Sequence, residues 1–229
     1  MLRVGMGKVS VLSEMAPSAL RQQVPERPHR ASWLAGRVLL STLLSPACVP
    51  VIVYGRNGKP YFEENIPLWF NISHSGDDIA IVVSDEGEVG CDLEVIRPRN
   101  NVQRIAHAMF TDAEQQELAS ADEAQQFCIF WRIWTRKEAI LKQCGSSVWQ
   151  MNTLDSHEGF FISQFCLADS LVLAVCTAHP HQLTPRDFSF PGYIDALLPI
   201  DKSSVSSNFI PRTGQQNAQR PVRYANFDR

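Results

Sequence analysis

Two acidic residues, Asp92 and Glu94, lie two positions apart in a short segment of alternating character at 89–95. The alternation predicts a β-strand, and the two-residue period of a strand places both carboxylates on one face. Two carboxylates this close repel each other unless a cation lies between them, and Mg²⁺ prefers such hard oxygen ligands. Gly90 leaves room for another chain segment or a ligand. The alternative is a strand at the edge of a sheet whose acids are simply solvated, which is a common arrangement.

A second pair, Glu138 and Lys142, lies four positions apart in an amphipathic segment at 127–143 that predicts a helix, so both side chains share a face. Such a pair alone is often a surface ion pair of little energetic weight. The same helix carries four aromatic residues: Phe127, Phe130, Trp131 and Trp134. We therefore expect the pair at the edge of a cleft, where Glu138 completes a metal site with Asp92 and Glu94 and Lys142 meets a phosphate.

Groups suited to phosphate binding occur earlier in the chain. Ser73 and His74 offer a hydroxyl and an imidazole where a strand is expected to break, over 73–76. A serine hydrolase is disfavoured, because the chain has no G-x-S-x-G elbow. Three cations are further candidates for phosphate contacts, although none is diagnostic alone: Lys59 in a Gly-Lys-Pro turn, Arg30 and Arg37.

Charge is distributed unevenly along the 229 residues. Residues 1–60 carry 8 Lys+Arg and 2 Asp+Glu, whereas residues 61–140 carry 6 and 15, and the whole chain has a net charge of −3. A basic start beside an acidic middle suits an anionic partner held next to a cation, although ordinary solvated surface gives the same pattern. Nucleic-acid binding is disfavoured, because the net charge is negative and the basic residues are not clustered with aromatics.

Several classes of protein are excluded by composition. The chain is 45% hydrophobic and 20% charged, which favours a globular core. No apolar run approaches the roughly 18 residues of a membrane helix, and the first residues lack the apolar stretch of a signal peptide, so we expect no membrane association and a cytoplasmic location. No two of the six cysteines are spaced as C-x-x-C, and we expect reduced, buried thiols rather than a zinc site or disulfides.

The elements that must position these residues follow from hydrophobic periodicity and turn signals. Strands are predicted at 3–12, 51–54, 68–72, 79–84 and 89–95, and a hairpin at 159–178. Helices are predicted at 31–44, 100–110, 111–120 and 127–143, with Thr111 and Glu114 forming a capping box and Gly145 ending the last helix. The order of elements indicates two α/β-like halves. Residues beyond about 197 are rich in Ser, Gln, Asn, Pro and Arg, and we expect a disordered tail there.

Three segments in this order and spacing resemble the signature motifs of the 4′-phosphopantetheinyl transferase superfamily. They are F-N-I-S-H-S at 70–75, V-G-C-D-L-E at 89–94 and F-W-R-I-W-T-R-K-E-A-I-L-K at 130–142. Trp-Leu-Ala-Gly-Arg at 33–37 and Gly-Lys-Pro at 58–60 also resemble family features. The resemblance spans about residues 3–195. It is strongest for the single-chain bacterial type, the group that contains the enteric second holo-acyl-carrier-protein synthase.

The resemblance implies an α+β fold in which two similar α/β halves, 1–97 and 98–196, have a pseudo-twofold arrangement in one chain, with 197–229 as a tail. It implies a monomer that binds coenzyme A as substrate between the halves. The implied reaction moves the 4′-phosphopantetheine group to a serine of an apo acyl carrier protein and releases adenosine 3′,5′-bisphosphate. Carrier proteins of this kind are acidic, which suits the basic N-terminal third.

The resemblance also implies roles for individual residues. Mg²⁺ would be held by Asp92, Glu94 and Glu138, with Glu138 also the base that takes the proton of the carrier serine. Lys142 would neutralise the pyrophosphate of the coenzyme. The remaining implied contacts to coenzyme A are Ser73 and His74 on its phosphates, Lys59 along the nucleotide, and Arg30 or Arg37 on the 3′-phosphate.

Two alternatives share parts of this pattern. A module that binds a carrier protein or coenzyme A without catalysis would keep the binding residues, but it would be expected to lose one of the four site residues Asp92, Glu94, Glu138 and Lys142. A metal-dependent phosphohydrolase would use the same carboxylates and would release the bisphosphate without a carrier protein.

Overall fold

The structure is a computed structural model that describes residues 1–26, 30–55, 57–63, 66–157, 159–167 and 170–193. The strands are β1 (Leu2–Lys8), β2 (Ile52–Tyr54), β3 (Pro60–Phe62), β4 (Trp69–Ser75), β5 (Asp78–Ser84), β6 (Gly90–Val95), β7 (Phe161–Leu167), β8 (Leu171–Thr177) and β9 (Phe188–Ser189). The helices are α1 (Val9–Glu14), α2 (Ser18–Arg21), α3 (Arg30–Leu44), α4 (Val102–Met109), α5 (Asp112–Ala119) and α6 (Gln126–Cys144). Short 3₁₀ helices cover Glu123–Gln125, Val148–Thr153 and Pro185–Asp187. None of the helices in the described ranges has the length and apolar character needed to cross a membrane.

The N-terminal sheet has the strand order β4-β5-β1-β9. β4 and β5 form an antiparallel hairpin that turns at Gly76, whose φ of 59° lies in the left-handed region that favours glycine. β5 pairs in turn with β1, also antiparallel. Helix α3 lies on this sheet because its leucines recur at helical spacing, so that Leu39 and Leu43 pack with Ile79 and Ile81 of β5 in one buried cluster.

The C-terminal sheet has the strand order β6-β8-β7, with both pairs antiparallel. The central strand β8 is buried along all but its last residue, which explains its nearly continuous apolar sequence. Helix α6 packs on this sheet, with Ala139 and Ile140 buried against Ala174 and Cys176 of β8. The helix ends at Gly145, which has a φ of 64° and takes the left-handed conformation common after a helix.

One apolar core joins the two sheets. Its members include Val4 and Val82 from the N-terminal sheet and Leu93 and Val175 from the C-terminal sheet, each 0% exposed. Because both sheets contribute to this core, they pack as one unit. The helices and antiparallel strands together make the described chain a mixed α+β fold.

The two sheets share one connectivity. In each, a first strand is followed by a long helix and then by an antiparallel hairpin, and the second strand of the hairpin lies in the middle beside the first strand. The elements are β1, α3, β4 and β5 in one case, and β6, α6, β7 and β8 in the other.

Most of the predicted elements are confirmed, including the strands near 79–84 and 89–95, the long helix and the hairpin of β7 and β8. The capping box of Thr111 and Glu114 is also present. Two boundaries were wrong. The first strand ends at Lys8 and a helix follows it, and β4 does not break at Ser73 but continues to Ser75. The predicted tail at 197–229 lies outside the described residues.

None of the six cysteines, all within the described ranges, is part of a disulfide. The expectation that they are buried was wrong for three of them, because Cys48, Cys144 and Cys166 are exposed. Cys91 is buried, and burial raises the pKa of its thiol to about 12, which leaves it protonated and poorly nucleophilic at neutral pH.

Candidate active site

The residues predicted to do chemistry lie where helix α6 crosses strand β6. Asp92 and Glu94 are on β6, and Glu138 and Lys142 are on α6. The helix approaches unusually closely because β6 begins with Gly90, where a Cβ atom would overlap the backbone of α6. Close packing of the two elements at this point therefore brings the two motifs, about 45 residues apart in the sequence, to one place.

Asp92 is the most buried of the four, with 4% of its surface exposed. Its Oδ1 atom accepts a hydrogen bond from Ser73 Oγ at 2.9 Å and one from Lys142 Nζ at 2.5 Å. Its Oδ2 atom is buried and has no hydrogen-bond partner within the described part of the chain. An unpartnered carboxylate oxygen in the interior is costly, so this atom marks a position where a cation or a donor would be stabilising.

Glu94 and Glu138 are half-buried, and the pKa of each carboxyl is raised. Burial is the main cause for both, and the negative charge of Asp92 adds to it; the hydrogen bond from Ser75 opposes the shift at Glu94. Glu94 and Glu138 also interact electrostatically, since Glu94 contributes to the raised pKa of Glu138. The three carboxylates thus lie within electrostatic reach of one another, and their mutual repulsion favours binding of a positive charge.

Lys142 provides a positive charge in direct contact with Asp92. Burial by itself lowers the pKa of its ammonium group, but the charge of Asp92 and the hydrogen bond to it outweigh burial, and the pKa is raised. Lys142 also donates a hydrogen bond to Ser73 Oγ at 3.0 Å. The lysine therefore stays protonated at neutral pH and lies beside the most buried carboxylate, where it is available to an anionic ligand.

The residues present fit a divalent cation. Asp92, Glu94 and Glu138 offer the hard oxygen ligands that Mg²⁺ takes in proteins, and the unpartnered Oδ2 of Asp92 is one such oxygen. Among the described residues, the three side chains whose ligand atoms all lie within 4.8 Å of one another are Glu114, Asp155 and His157, and not these three carboxylates. The assignment of Mg²⁺ to Asp92, Glu94 and Glu138 thus stays a prediction.

The Glu114 group is an ion-pair network rather than an open site. Glu114 and Lys137 are fully buried and form an ion pair at 2.5 Å, and Ser156 donates to the other oxygen of Glu114 at 2.6 Å. His157 has Asp155 and Glu117 at hydrogen-bond distance from its two ring nitrogens, at 3.0 and 2.9 Å. Since a lysine already supplies the positive charge, the network is best explained as the structural link between α5, α6 and the segment at 154–157.

Ser73 and His74 point to opposite sides of β4, as the strand period requires. Ser73 is buried and turned toward Asp92, whereas His74 is exposed. The hydroxyl of Ser73 also accepts a hydrogen bond from the backbone N–H of Leu93. The structure therefore places Ser73 at the carboxylates and His74 on the opposite face of the strand, and their contacts to phosphates stay predictions.

Lys59 lies at the C-terminal end of α6, close to the site but not among the carboxylates. Its ammonium group pairs with Glu88 and donates to the carbonyl oxygen of Gln143. A cation in this position is favourable, because the last carbonyl groups of a helix carry partial negative charge. Lys59, Gln143 and Cys144 line a cleft of about 440 Å³ between the β2–β3 hairpin and the helix end.

Arg30 and Arg37 both belong to helix α3, one at its first residue and one near its middle. Arg30 is exposed. The guanidinium of Arg37 lies 4.9 Å from the ring centre of Trp33 and donates to the hydroxyl of Tyr54 at 3.3 Å. No contact described for either arginine links it to the carboxylates, so neither is assigned to the site by geometry.

The aromatic residues of α6, which were the reason to expect Glu138 and Lys142 at the edge of a cleft, lie mainly in a core. Phe130 and Trp131 are 0% and 1% exposed and belong to a core that α6 shares with α4 and α5. Trp134 packs against this core, and the indole N–H of Trp131 donates to the carbonyl oxygen of Arg97. An aromatic stripe does not distinguish a core from a cleft, because α6 is covered on more than one side. The position of Glu138 and Lys142 at the edge of a cleft therefore stays a prediction.

Comparisons with known proteins give the chain's relatives. A family model described as the 4′-phosphopantetheinyl transferase superfamily matches residues 88–179. The chain is 55% identical over 189 residues to the 4′-phosphopantetheinyl transferase AcpT of Salmonella typhimurium, covering 81% of this chain and 97% of that protein. It is 54% identical over 187 residues to AcpT of Escherichia coli K12, covering 80% and 94%. A 4′-phosphopantetheinyl transferase of Bacillus subtilis is 30% identical over 193 residues, covering 75% and 84%.

The chain belongs to the 4′-phosphopantetheinyl transferase superfamily. The segment matched by the superfamily model runs from before β6 to the end of β8 and so contains Asp92, Glu94, Glu138 and Lys142. The resemblance seen in the sequence is confirmed by these relatives.

Sequence reasoning assigned no role to two residues of β4 that hydrogen-bond to β6 in this superfamily member. Ser75 donates to Glu94 Oε2 at 2.6 Å, and Asn71 accepts from the backbone N–H of Cys91 at 3.0 Å. A signal for both was present, since Asn71, Ser73 and Ser75 alternate along one strand as Cys91, Leu93 and Val95 do along another. This alternation is easily missed, because Ser75 and Gly76 are also typical turn residues.

Proposed function

We propose that the chain transfers the 4′-phosphopantetheine group of coenzyme A to a serine of an apo acyl carrier protein. The serine oxygen bonds to the phosphorus that carries the pantetheine arm, and the bond from that phosphorus to the bridging oxygen breaks. Adenosine 3′,5′-bisphosphate leaves with the bridging oxygen. The observation that carries the proposal is the meeting of Asp92, with its unpartnered oxygen, and Lys142 at the crossing of β6 and α6.

In this proposal Asp92, Glu94 and Glu138 hold Mg²⁺, which, when bound, neutralises charge on the pyrophosphate oxygens. Glu138 accepts the proton of the attacking serine. In the absence of a metal ion, burial and the charge of Asp92 raise the pKa of its carboxyl, which favours proton uptake. Lys142 stays protonated and stabilises the charge that develops on the leaving bisphosphate.

We propose the remaining contacts with coenzyme A from the family resemblance. Lys59 lies along the nucleotide, which is supported by its position in a cleft beside the C-terminal end of α6. The phosphates are contacted by His74 and Ser73, and the 3′-phosphate by Arg30 or Arg37. The hydroxyl of Ser73 donates to Asp92 in this structure, so it contacts a phosphate oxygen only if it releases that carboxylate.

We also propose that residues 1–97 and 98–196 are two halves related by a pseudo-twofold axis, with coenzyme A bound between them. The shared connectivity of the two sheets supports two related halves, but it groups β6 (Gly90–Val95) with α6, β7 and β8, which favours a boundary between β5 and β6 over one at 97. Because one chain then supplies both halves of the site, we expect a monomer. The acidic carrier protein is expected to meet the basic N-terminal third, and the reaction to take place in the cytoplasm.

The test is a panel of apo carrier proteins incubated with the purified chain, coenzyme A and Mg²⁺, and scored by intact mass. We expect at least one carrier to gain the mass of a single phosphopantetheine group. The Asp92→Asn variant should load none, because it removes a charged ligand while keeping the shape of the side chain. A matched control is Asp122→Asn, which changes an exposed carboxylate that caps nothing.

Three results would contradict the proposal. Binding of coenzyme A with no mass gain on any carrier would favour a module without catalysis. Release of the bisphosphate in the absence of a carrier would favour a phosphohydrolase. Loading by the Asp92→Asn variant at the rate of the unmodified protein would remove Asp92 from the metal site.

A further inference from the structure

Strands β4 and β6 meet as the edges of two different sheets, and they are joined by side chains instead of a backbone ladder. β6 pairs with β8 along one side only, and β4 pairs with β5 along one side only. On the other side of β6 the backbone N–H groups of Cys91, Leu93 and Val95 need acceptors, since buried backbone donors are rarely left unpaired. These three residues alternate, so their N–H groups point the same way, toward β4.

The acceptors come from alternate side chains of β4. Cys91 N–H donates to Asn71 Oδ1 at 3.0 Å, Leu93 N–H to Ser73 Oγ at 3.2 Å, and Val95 N–H to Ser75 Oγ at 3.2 Å. All three acceptor residues are at most 7% exposed. We call these three bonds the seam ladder. It fixes the register of β4 against β6, because every second side chain of β4 accepts from every second backbone N–H of β6.

The two serines of the seam ladder also reach the carboxylates. A hydroxyl that accepts from a backbone N–H keeps its own proton to donate. Ser73 donates to Asp92 Oδ1 at 2.9 Å, and Ser75 donates to Glu94 Oε2 at 2.6 Å. The bond between Cys91 N–H and Asn71 differs from the other two. The residue before Cys91 is Gly90, which has no side chain, so Asn71 has no carboxylate to contact at that position.

We infer that Ser73 and Ser75 are positioning residues for the divalent cation, each holding one carboxylate by a hydroxyl that the backbone of β6 has itself oriented. Each hydroxyl occupies one carboxylate oxygen and leaves the other for a cation, as the unpartnered Oδ2 of Asp92 illustrates. Partners that orient ligating carboxylates typically change metal affinity by about 10- to 100-fold when removed. The inference rests on the proposed function, because it takes Asp92 and Glu94 as metal ligands.

Asn71 provides an internal control. Asn71→Ala and Ser75→Ala each remove one rung of the seam ladder, but only Ser75→Ala also removes a bond to a carboxylate. Both substitutions should lower the melting temperature. Titration of the EDTA-treated, full-length protein with Mn²⁺, followed by calorimetry or by the electron paramagnetic resonance signal of free Mn²⁺, separates the two effects. We expect Ser75→Ala to weaken Mn²⁺ binding about 10-fold or more and Asn71→Ala to change it less than about 2-fold.

The outcomes distinguish the inference from the proposed function. Equal Mn²⁺ affinities for Ser75→Ala and Asn71→Ala, with binding lost in Asp92→Asn, would overturn the inference and leave the metal site in place. Unchanged Mn²⁺ binding by Asp92→Asn would overturn both. If Ser75→Ala does not fold, Ser75→Thr keeps the hydroxyl and should bind Mn²⁺ within about 3-fold of the unmodified protein; a folded Ser75→Thr with 10-fold weaker binding would overturn the inference.

Discussion

Gly90 of β6 lies directly beneath Ala139 of α6, and a Cβ atom at Gly90 would overlap the carbonyl oxygen of Ala139 and the amide nitrogen of Gln143. The backbone of a helix cannot yield as the end of a flexible side chain can. Since Ala139 directly follows Glu138, the spacing of β6 and α6 sets how near the helix carboxylate comes to those of the strand. The glycine is therefore a determinant of the site as well as of the packing.

Substitution of Gly90 by alanine should damage both the fold and the site. We expect the free energy of unfolding to fall by about 3 kcal/mol or more, because the added methyl group forces the helix away from the strand. Loading of a carrier protein should fall more than the folded fraction does. Chemical denaturation and intact-mass assays on the same preparation measure the two effects. Gly55→Ala is the matched control for stability alone, since a Cβ there meets no atom closer than 3.6 Å but Gly55 lines the cleft beside Lys59. Wild-type stability of Gly90→Ala would contradict the close packing.

Much of this arrangement could be predicted from sequence, but not its polar contacts. The alternation around Asp92 and Glu94 predicts a strand with both carboxylates on one face, and Gly90 predicts a close approach. The role of Ser75 was missed because its partners, Glu94 and Val95, are 19 and 20 residues away and belong to another sheet. A serine near the end of a strand resembles a turn residue until the strand edge that it satisfies is known.

A similar limit applies to Glu114. The spacing of Thr111 and Glu114 predicts a capping box, and the structure contains it. The sequence does not indicate that the same carboxylate is fully buried and paired with Lys137 of α6. Local patterns identify local hydrogen bonds, whereas the pairing of buried charges depends on how helices pack, which no single segment encodes.

The Lys137–Glu114 ion pair supports a prediction about stability. Lys137→Met should lower the free energy of unfolding by about 3–5 kcal/mol, because it leaves the buried carboxylate of Glu114 without its countercharge. The double variant Lys137→Met, Glu114→Gln should recover part of this loss, since no buried charge then lacks a partner. Urea denaturation of the single and double variants measures both values.

The comparison needs a more exposed ion pair as its control. Lys8 pairs with Asp78 at 2.8 Å, but 32% of the lysine side chain is exposed. Lys8→Met should therefore cost about 1 kcal/mol or less. Equal losses for Lys137→Met and Lys8→Met would mean that burial of the Lys137 pair has no special energetic weight.

Lys142→Met tests the proposed role of the lysine in the reaction. Loss of a positive group that stabilises developing charge typically lowers kcat by about 100- to 1,000-fold, and we expect a fall of this size with a smaller change in KM for coenzyme A. The rate of carrier loading at saturating coenzyme A measures kcat, and circular dichroism checks the fold. Lys8→Met serves again as the control. If Lys142→Met retained kcat within about 3-fold, the charge of Lys142 would have no part in the chemical step.

Glu138→Gln should show how the site affects stability as pH changes. The pKa of Glu138 is raised from its ordinary value of 4.5, mainly by burial and then by the charge of Asp92. A raised pKa means that the folded state prefers the protonated carboxyl. The stability that protonation contributes is complete below pH 4.5 and is lost as the pH rises through the folded pKa. In EDTA, the glutamine variant should therefore be more stable than the unmodified protein at neutral pH, and the difference should shrink as the pH is lowered toward 4.5.

Added Mg²⁺ should reverse this ranking at neutral pH. A cation that binds only the folded state stabilises it, and Glu138→Gln removes one of its charged ligands. Urea denaturation at several pH values, with EDTA and with Mg²⁺, measures the whole pattern. Glu123→Gln is the control, because it makes the same change at an exposed carboxylate. It should change stability by no more than about 0.5 kcal/mol under every condition. If Glu138→Gln is less stable than the unmodified protein in EDTA at neutral pH, the surroundings stabilise the carboxylate of Glu138. The assignment of Glu138 as a base with a raised pKa would then be wrong.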